Sequence, residues 1–292
     1  MASNSTGVNP AGAGAGGQVA GRGDPRLAAL LTWFAPGAGH LYLGMPVVGL
    51  VAFVVIQGLF FAGLKLSGGM LLEYLEPDLQ GPFAGALTPE AANLGMLVYQ
   101  MKVYAFGPGA PRPWPEHMHL GATLTALSGL LNAFLMVQAI SDARRAERSP
   151  RWTALPVLLT WVLPGLGHFV QGRKLRAGLL CAALVGLFVL GTVLAEGSNL
   201  DRERHFYYWA GQFLVGGPAL VAEFVHGHAL VTRDIAYVDG GLGMTCVAGL
   251  LNVLAMIDVY SHAERGGAPA DSAAPKVAPA TPSGTPQPGA LA

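Results

Sequence analysis

The chain has 292 residues, as many basic as acidic side chains, and only 12% charged residues, against roughly 25% in an average soluble domain. This shortage of charge, with 52% hydrophobic residues, argues against a soluble domain, and the zero net charge gives no reason to expect a nucleic-acid partner. The composition predicts an all-α integral membrane protein whose main partner is the lipid bilayer.

The two ends of the chain differ from its middle. Residues 1–25 and 266–292 consist mainly of small residues and proline, and both are predicted to be disordered tails. No charged segment followed by an apolar stretch and a small-residue cleavage site precedes Arg26. We therefore expect no removable signal peptide.

The first apolar run, Leu27–Leu64, holds 38 residues without a formal charge, although a helix needs only about 20 to cross the hydrocarbon core. Residues 30–44 of this run read LLTWFAPGAGHLYLG. The residues that interrupt a continuous helix there are Pro36, Gly37, Gly39, His40 and Gly44. Proline and glycine at this spacing predict a hairpin of two helices joined by a tight bend, which either crosses the membrane or re-enters on the same side.

The same pattern returns in residues 158–172, LLTWVLPGLGHFVQG, with nine identities in fifteen positions. The second set of motif residues is Pro164, Gly165, Gly167, His168 and Gly172. A second match aligns residues 128–145 with 248–265 at eight positions. The chain is therefore interpreted as a tandem-duplicated helical bundle, with copy one at residues 26–148 and copy two at 149–265.

Each polar residue of the motif has a predicted structural role. His40 and His168 are expected to hydrogen-bond the carbonyl groups that the bend leaves without donors; a proton relay or a ligand contact is the alternative. Trp33 and Trp161 suit the aromatic belt at the membrane surface.

Three further polar residues lie in the last predicted helices of the two copies, one in copy one and two in copy two. Asn132 and Asn252 occupy matching positions and are expected to bridge helices across an interface shared by the two copies. Asp258 aligns with Gln138, so that only copy two has a carboxylate there. Asp258 is a candidate transport site, with a solvated helix end as the alternative.

Metal and catalytic chemistry have little support in the sequence. Two HxH pairs occur, at His117 and His119 and at His226 and His228, but they are not equivalent in the repeat, and neither belongs to a four-ligand spacing. Known catalytic and nucleotide-binding motifs are missing. We expect no metal, no cofactor and no catalytic residue.

The distribution of basic residues predicts the topology. The cluster Arg144, Arg145, Arg148 and Arg151 between the copies predicts a cytoplasmic connection, an even number of crossings per copy, and both termini in the cytoplasm of a bacterial inner membrane. Four full spans per copy, or two full spans with two re-entrant segments, place the same number of basic residues inside. Re-entry is favoured because it keeps the basic residues at 173–176 on the cytoplasmic side.

The chain also resembles a known family. The PGxGHxxxG hairpin, YYWAGQFLVGGPAL at 207–220 and GMTCVAGLLNVLAMIDVYSHA at 243–263 are similar to an uncharacterised bacterial polytopic membrane family, domain of unknown function 6677. Copy one has AANLGMLVYQMKVYAF at 91–106 instead of the middle block. The hairpin alone is similar to the glycine-rich turn of two-transmembrane-domain proteins. Neither resemblance implies an activity or a catalytic residue.

Two classes of function follow from these patterns. A non-enzymatic scaffold or assembly component, acting with membrane-protein partners or as a homo-oligomer, accounts for the small polar inventory. The alternative is a transporter of ions or small solutes built on a parallel structural repeat. A transporter predicts that the broken segments converge on a polar cavity holding His40, His168 and Asp258.

Overall fold

A computed structural model describes residues 22–80, 84–104, 110–145, 152–227 and 234–265. All regular elements in these ranges are helical and none is a strand, which confirms the all-α class. Three predictions concern residues that are partly or wholly outside these ranges: the two tails, His228, and Arg148 and Arg151 of the basic cluster.

The described part of copy one contains five α-helices and three short 3-10 turns. The helices are α1 Pro25–Phe34, α2 Ala38–Tyr42, α3 Pro46–Leu66, α4 Leu94–Val103 and α5 Met118–Arg144. The 3-10 turns, at Pro77–Leu79, Ala84–Leu87 and Pro89–Ala92, lie between α3 and α4.

The described part of copy two repeats this order, with one additional α-helix in the middle. Its helices are α6 Ala154–Val162, α7 Leu166–Val170, α8 Lys174–Leu194, α9 Arg202–Phe213, α10 Gly217–His226 and α11 Val238–Glu264. A 3-10 turn at Ser198–Leu200 precedes α9. Helices α7, α8 and α11 begin and end at the residues that the repeat offsets predict from α2, α3 and α5.

Four helices are long and apolar enough to cross a membrane: α3, α5, α8 and α11. The ten residues of α1 extend only about 15 Å at 1.5 Å per residue, half of a hydrocarbon core of about 30 Å. Of the two arrangements left open by the sequence, the lengths support two full spans with two shorter broken segments in each copy.

Helices α1 and α2 form a hairpin that returns to the end of the bundle where it begins. The backbone N–H of Asp24, before α1, donates to the hydroxyl of Tyr42 at 3.2 Å, at the end of α2. Ala28 packs against Ala139 and Ala143 near the end of α5. We call α1–α2 and its counterpart α6–α7 the PGxGH hairpins, and the end at which they start the histidine end.

A second broken segment enters each copy from the opposite end. In copy one, the Tyr104 hydroxyl beyond α4 accepts bonds from the N–H groups of Leu71 and Leu72, just past α3. At the start of α4, Asn93 accepts a bond of 3.4 Å from Gln57, halfway along α3. We call residues 67–104 and their counterpart 197–226 the opposing hairpins. Each copy therefore packs two half-depth hairpins, from opposite ends, between two full-length helices.

The two copies share one apolar core. Tyr74 of copy one stacks on Phe206 of copy two with ring centroids 5.9 Å apart. At the histidine end, Arg144 of α5 and Glu264 of α11 form an ion pair of 2.9 Å. Because α5 and α11 end together, the copies are parallel.

Candidate functional site

The two hairpins of copy one meet at an asparagine in the middle of α5. Pro36 biases the preceding residue toward extended backbone, and Ala35 has φ −145° and ψ 119°, so α1 ends at Phe34. The Thr32 carbonyl would normally accept from residue 36, but proline has no N–H. The Asn132 side-chain amide donates instead to Thr32 O at 3.0 Å and to Ala92 O of the opposing hairpin at 2.8 Å.

Copy two has the same junction. Pro164 ends α6, and the Asn252 amide donates to Thr160 O at 3.3 Å and to Leu214 O at 2.9 Å. Both asparagines are fully buried. In each copy one side chain thus joins the broken ends of two hairpins to a full-length helix.

The tryptophans belong to this junction. Trp33 Nε1 donates to Ala91 O at 2.9 Å, and Trp161 Nε1 donates to Phe213 O at 3.0 Å. Trp161 is 5% exposed. The indole N–H groups thus satisfy carbonyls of the opposing hairpins, a structural role that the sequence did not predict, whereas their expected place in the aromatic belt stays a prediction.

The first glycine after each proline is required by both conformation and space. Gly37 and Gly165 have φ of +83° and +88°, where residues with a side chain are strained. A Cβ would lie 2.0 Å from Gly49 O at position 37 and 2.3 Å from Ala177 O at position 165. The bend is thus packed directly on the first turn of α3 or α8.

The remaining motif glycines divide into two kinds. A Cβ at Gly39 or Gly167 would lie 2.1 Å from a carbonyl oxygen of α1 or α6, so these residues allow the two helices of each PGxGH hairpin to touch. Gly44 and Gly172 have positive φ, but no atom lies within 4 Å of an added Cβ. They serve the turn into α3 and α8 without a packing role.

The asparagines do not line an interface between the copies, contrary to the sequence-based expectation. Among the described residues, Asn132 bonds only within copy one and Asn252 only within copy two. Gly129 and Gly249, three residues before the asparagines, admit carbonyls of their own copies: an added Cβ would lie 2.3 Å from Pro89 O or 2.0 Å from Gly211 O.

The histidines face carboxylates rather than the carbonyls at the bend, which corrects their expected role. His168 Nε2 lies 3.0 Å from Asp258 Oδ2. His40 Nε2 lies 3.8 Å from Asp142 Oδ2, beyond hydrogen-bond distance. Both imidazoles are fully buried in the short helices α2 and α7, outside the four long helices. Burial lowers the pKa of His40 and of His168, and in both the neighbouring carboxylate opposes the shift.

The acidic partner moves by one helical turn between the copies. Asp258 aligns with Gln138, whereas Asp142 aligns with His262. In copy one, Gln138 occupies the position of Asp258, and its Nε2 donates to Asp142 Oδ2 at 3.0 Å. The glutamine therefore holds the carboxylate that takes the place of Asp258. Residues four apart share one face of a helix, and either position can therefore present a carboxylate to the hairpin.

The two carboxylates differ in charge environment. Asp258 forms ion pairs with Arg173 at 2.7 Å and with Arg176 at 3.1 Å, at the start of α8. The corresponding residues of copy one are Met45 and Val48. Asp258 therefore belongs to a partly exposed polar cluster at the histidine end of copy two, and copy one has a largely apolar counterpart.

The predicted transport residues do not converge. His40 pairs with Asp142 in copy one, whereas His168 and Asp258 pair in copy two. A cavity of about 520 Å³ lies between α3, α5 and α6, but its walls are apolar apart from Gln138, and it includes neither histidine. Within the described ranges no group of three or more His, Cys, Asp or Glu could hold a metal ion.

A buried ion pair within copy two, which also contacts copy one, was not predicted from the sequence. Arg202, 1% exposed, pairs with Glu223 and lies 3.9 Å from the ring centroid of Trp209. It also donates to His119 O and Thr123 of α5 in copy one. The sequence offers one signal, an arginine seven residues before a tryptophan, but charged residues such as those at 201–204 are almost never fully buried.

Comparison with known proteins agrees with this repeat architecture. The model of a family of unknown function, DUF6677, matches residues 27–150 and again residues 155–269. No curated protein and no solved structure matches the chain. The two matched segments confirm the tandem duplication and cover most of the sequence. This integral membrane protein therefore belongs to the DUF6677 family.

Proposed function

We propose that the protein is a non-enzymatic scaffold or assembly component of a bacterial inner membrane, with both termini in the cytoplasm. One observation carries the proposal: in both copies the proline, asparagine and tryptophan of the repeated motif are used to close the junction of the two hairpins. A duplicated motif that satisfies its own backbone groups fits a rigid support.

The outer surfaces suit such a role. Along their apolar windows α3 and α8 are only 28% and 22% buried by the rest of the chain. These faces are available to lipid, to other membrane proteins or to a second copy of the chain. Helix association in a bilayer depends on packing and on a few polar contacts, and a rigid helix face provides such a surface.

Complementation separates this role from transport. A strain lacking the gene would receive the wild-type chain or the His40→Gln/His168→Gln variant, with membrane yield measured in parallel. A scaffold predicts near-normal yield and full rescue, because both histidines lie outside the hairpin junction and their contacts contribute little to stability. A stable variant that fails to rescue would overturn the proposal, because only imidazole titrates near neutral pH.

Orientation has its own test. Reporter fusions at Pro150 and at Ala292 should both score as cytoplasmic, and a periplasmic signal at either position would contradict an even number of crossings per copy.

One observation favours transport as the second candidate function. Half-depth hairpins that meet within the bundle resemble the discontinuous helices from which transporters build midplane sites. We rank transport second because the two histidine–carboxylate pairs are separate, one in each copy.

A further inference from the structure

A buried carboxyl group lies beside the hairpin junction of copy one. Glu90 belongs to the turn Pro89–Ala92 of the opposing hairpin and is 7% exposed. Its Oε1 accepts a hydrogen bond of 2.9 Å from the Thr125 hydroxyl of α5. One turn further along α5, Gly129 lets the backbone of the same turn approach closely, with Glu90 Cα 2.6 Å from an ideal Cβ. The carboxyl group is therefore pressed against a full-length helix.

Among the residues that the structure describes, no cation forms an ion pair with Glu90. Arg202 is near enough for its field to act on Glu90, but its guanidinium donates to Glu223 and to α5. Lys102 of α4 is exposed, and His119, the titratable residue of α5 on this side, lies against a separate aromatic cluster. Burial raises the pKa of the Glu90 carboxyl group, and hydrogen bonds from its own backbone N–H, from Thr125 and from Thr88 oppose that shift without supplying a positive charge. A carboxylate removed from water without a countercharge is costly, so the neutral acid is favoured.

The second copy provides an independent argument. Residues that make the same junction contacts in the two copies are Pro89 and Gly211, Ala91 and Phe213, and Ala92 and Leu214. Each pair differs by 122 residues, and this offset places Gln212 at the position of Glu90.

Gln212 is 1% exposed, donates to Asn199 O at 2.8 Å and accepts from the Asn199 amide at 2.8 Å. A glutamine amide has nearly the shape of a protonated glutamic acid, with one donating and one accepting side. Copy two therefore fills this position with a permanently neutral group of the same shape.

We propose that Glu90 is an internal proton-binding site. The folded protein holds it as a carboxylic acid, the product of one carboxylate and one proton from solvent. Loss of that proton leaves an unpaired charge between α5 and the opposing hairpin and weakens their contact. Proton binding and the seating of this hairpin on α5 are thereby linked, in copy one alone.

Infrared spectroscopy of the full-length protein in lipid nanodiscs tests the protonation directly. At pH 7 the wild type should show a carboxylic-acid C=O stretching band that disappears in Glu90→Gln and persists in the control Glu76→Gln, since Glu76 is exposed. The reverse variant, Gln212→Glu, should add a second such band. Absence of the wild-type band, its survival in Glu90→Gln, or no added band in Gln212→Glu would overturn the proposal.

Melting temperatures provide a second readout. Above about pH 4.3 the unfolded chain ionises Glu90, whereas the folded chain retains the proton, so Glu90 should destabilise the fold increasingly as pH rises. The difference in melting temperature, Glu90→Gln minus wild type, should be larger and more positive at pH 8 than at pH 5, and Glu76→Gln should show no such change. An equal difference at both pH values would contradict the proposal.

Discussion

The junction of the hairpins is the same in the two copies, whereas the surroundings of the histidines are not. Asn132 and Asn252 bond the same pair of backbone positions, at distances within 0.3 Å of each other. The histidines keep a carboxylate nearby, but it comes from a different turn of the last helix, and only copy two surrounds it with arginines. The junction is constrained by backbone groups without water, and the polar cluster at the end of the bundle can vary because water can replace its partners.

The largest expected effect tests whether the bend is equally constrained in both copies. Gly37→Ala and Gly165→Ala should each abolish or nearly abolish folded yield, because the new Cβ overlaps a backbone oxygen of the next helix and φ is positive. Membrane yield and size-exclusion profile provide the measurement. The matched control, Gly44→Ala, has positive φ in open space and should cost only about 1 kcal/mol. A normal yield for either test variant would show that its bend can relax.

Removal of the junction amides should have the next largest effect. Asn132→Leu and Asn252→Leu each leave two buried carbonyls without a donor and should cost roughly 1–3 kcal/mol, similarly in the two copies. Unfolding in detergent measures this loss. Gln57→Leu is the control, since its half-buried amide makes a bond of only 3.4 Å and should cost much less. A large inequality between the asparagines would indicate that one junction is closed by other contacts.

The smallest effect should separate the histidines. His168→Gln loses or lengthens a hydrogen bond to a carboxylate and should cost about 1 kcal/mol or less, given the partial exposure of Asp258. His40→Gln should change stability even less, because His40 lies 3.8 Å from Asp142. Melting temperatures of the single variants decide the order, and a greater loss at His40 would reverse this interpretation.

Much of the fold could be predicted from the sequence, because the duplication, the uncharged runs and the proline breaks are all side-chain patterns. The opposing hairpin of copy one could not, because the junction uses backbone carbonyls of Ala91 and Ala92, where copy two has Phe213 and Leu214. Any residue supplies a backbone carbonyl, so the contact requires no particular residue type that an alignment of the two copies could detect.

The partner of His40 was hidden for a different reason. Repeat alignment pairs Asp258 with Gln138 and so predicts no acid in copy one. The carboxylate that lies near His40 is instead that of Asp142, one turn away on the same face of α5. A position-by-position comparison of the two copies misses a carboxylate that stays beside the histidine in space but comes from another position in the sequence.

Each PGxGH hairpin returns to the end of the bundle from which it starts, and we therefore expect both of its ends to lie on one side of the membrane. Labelling of single cysteines with a membrane-impermeant reagent tests this most directly, in a background where Cys181 and Cys246 are replaced. Arg26→Cys and Met45→Cys flank the hairpin of copy one, Trp152→Cys and Lys174→Cys flank that of copy two, and Glu76→Cys marks the opposite end. All four flanking cysteines should be labelled from one side of the membrane and Glu76→Cys from the other. Labelling of the two members of either pair from opposite sides would contradict it, since that hairpin would then cross the bilayer.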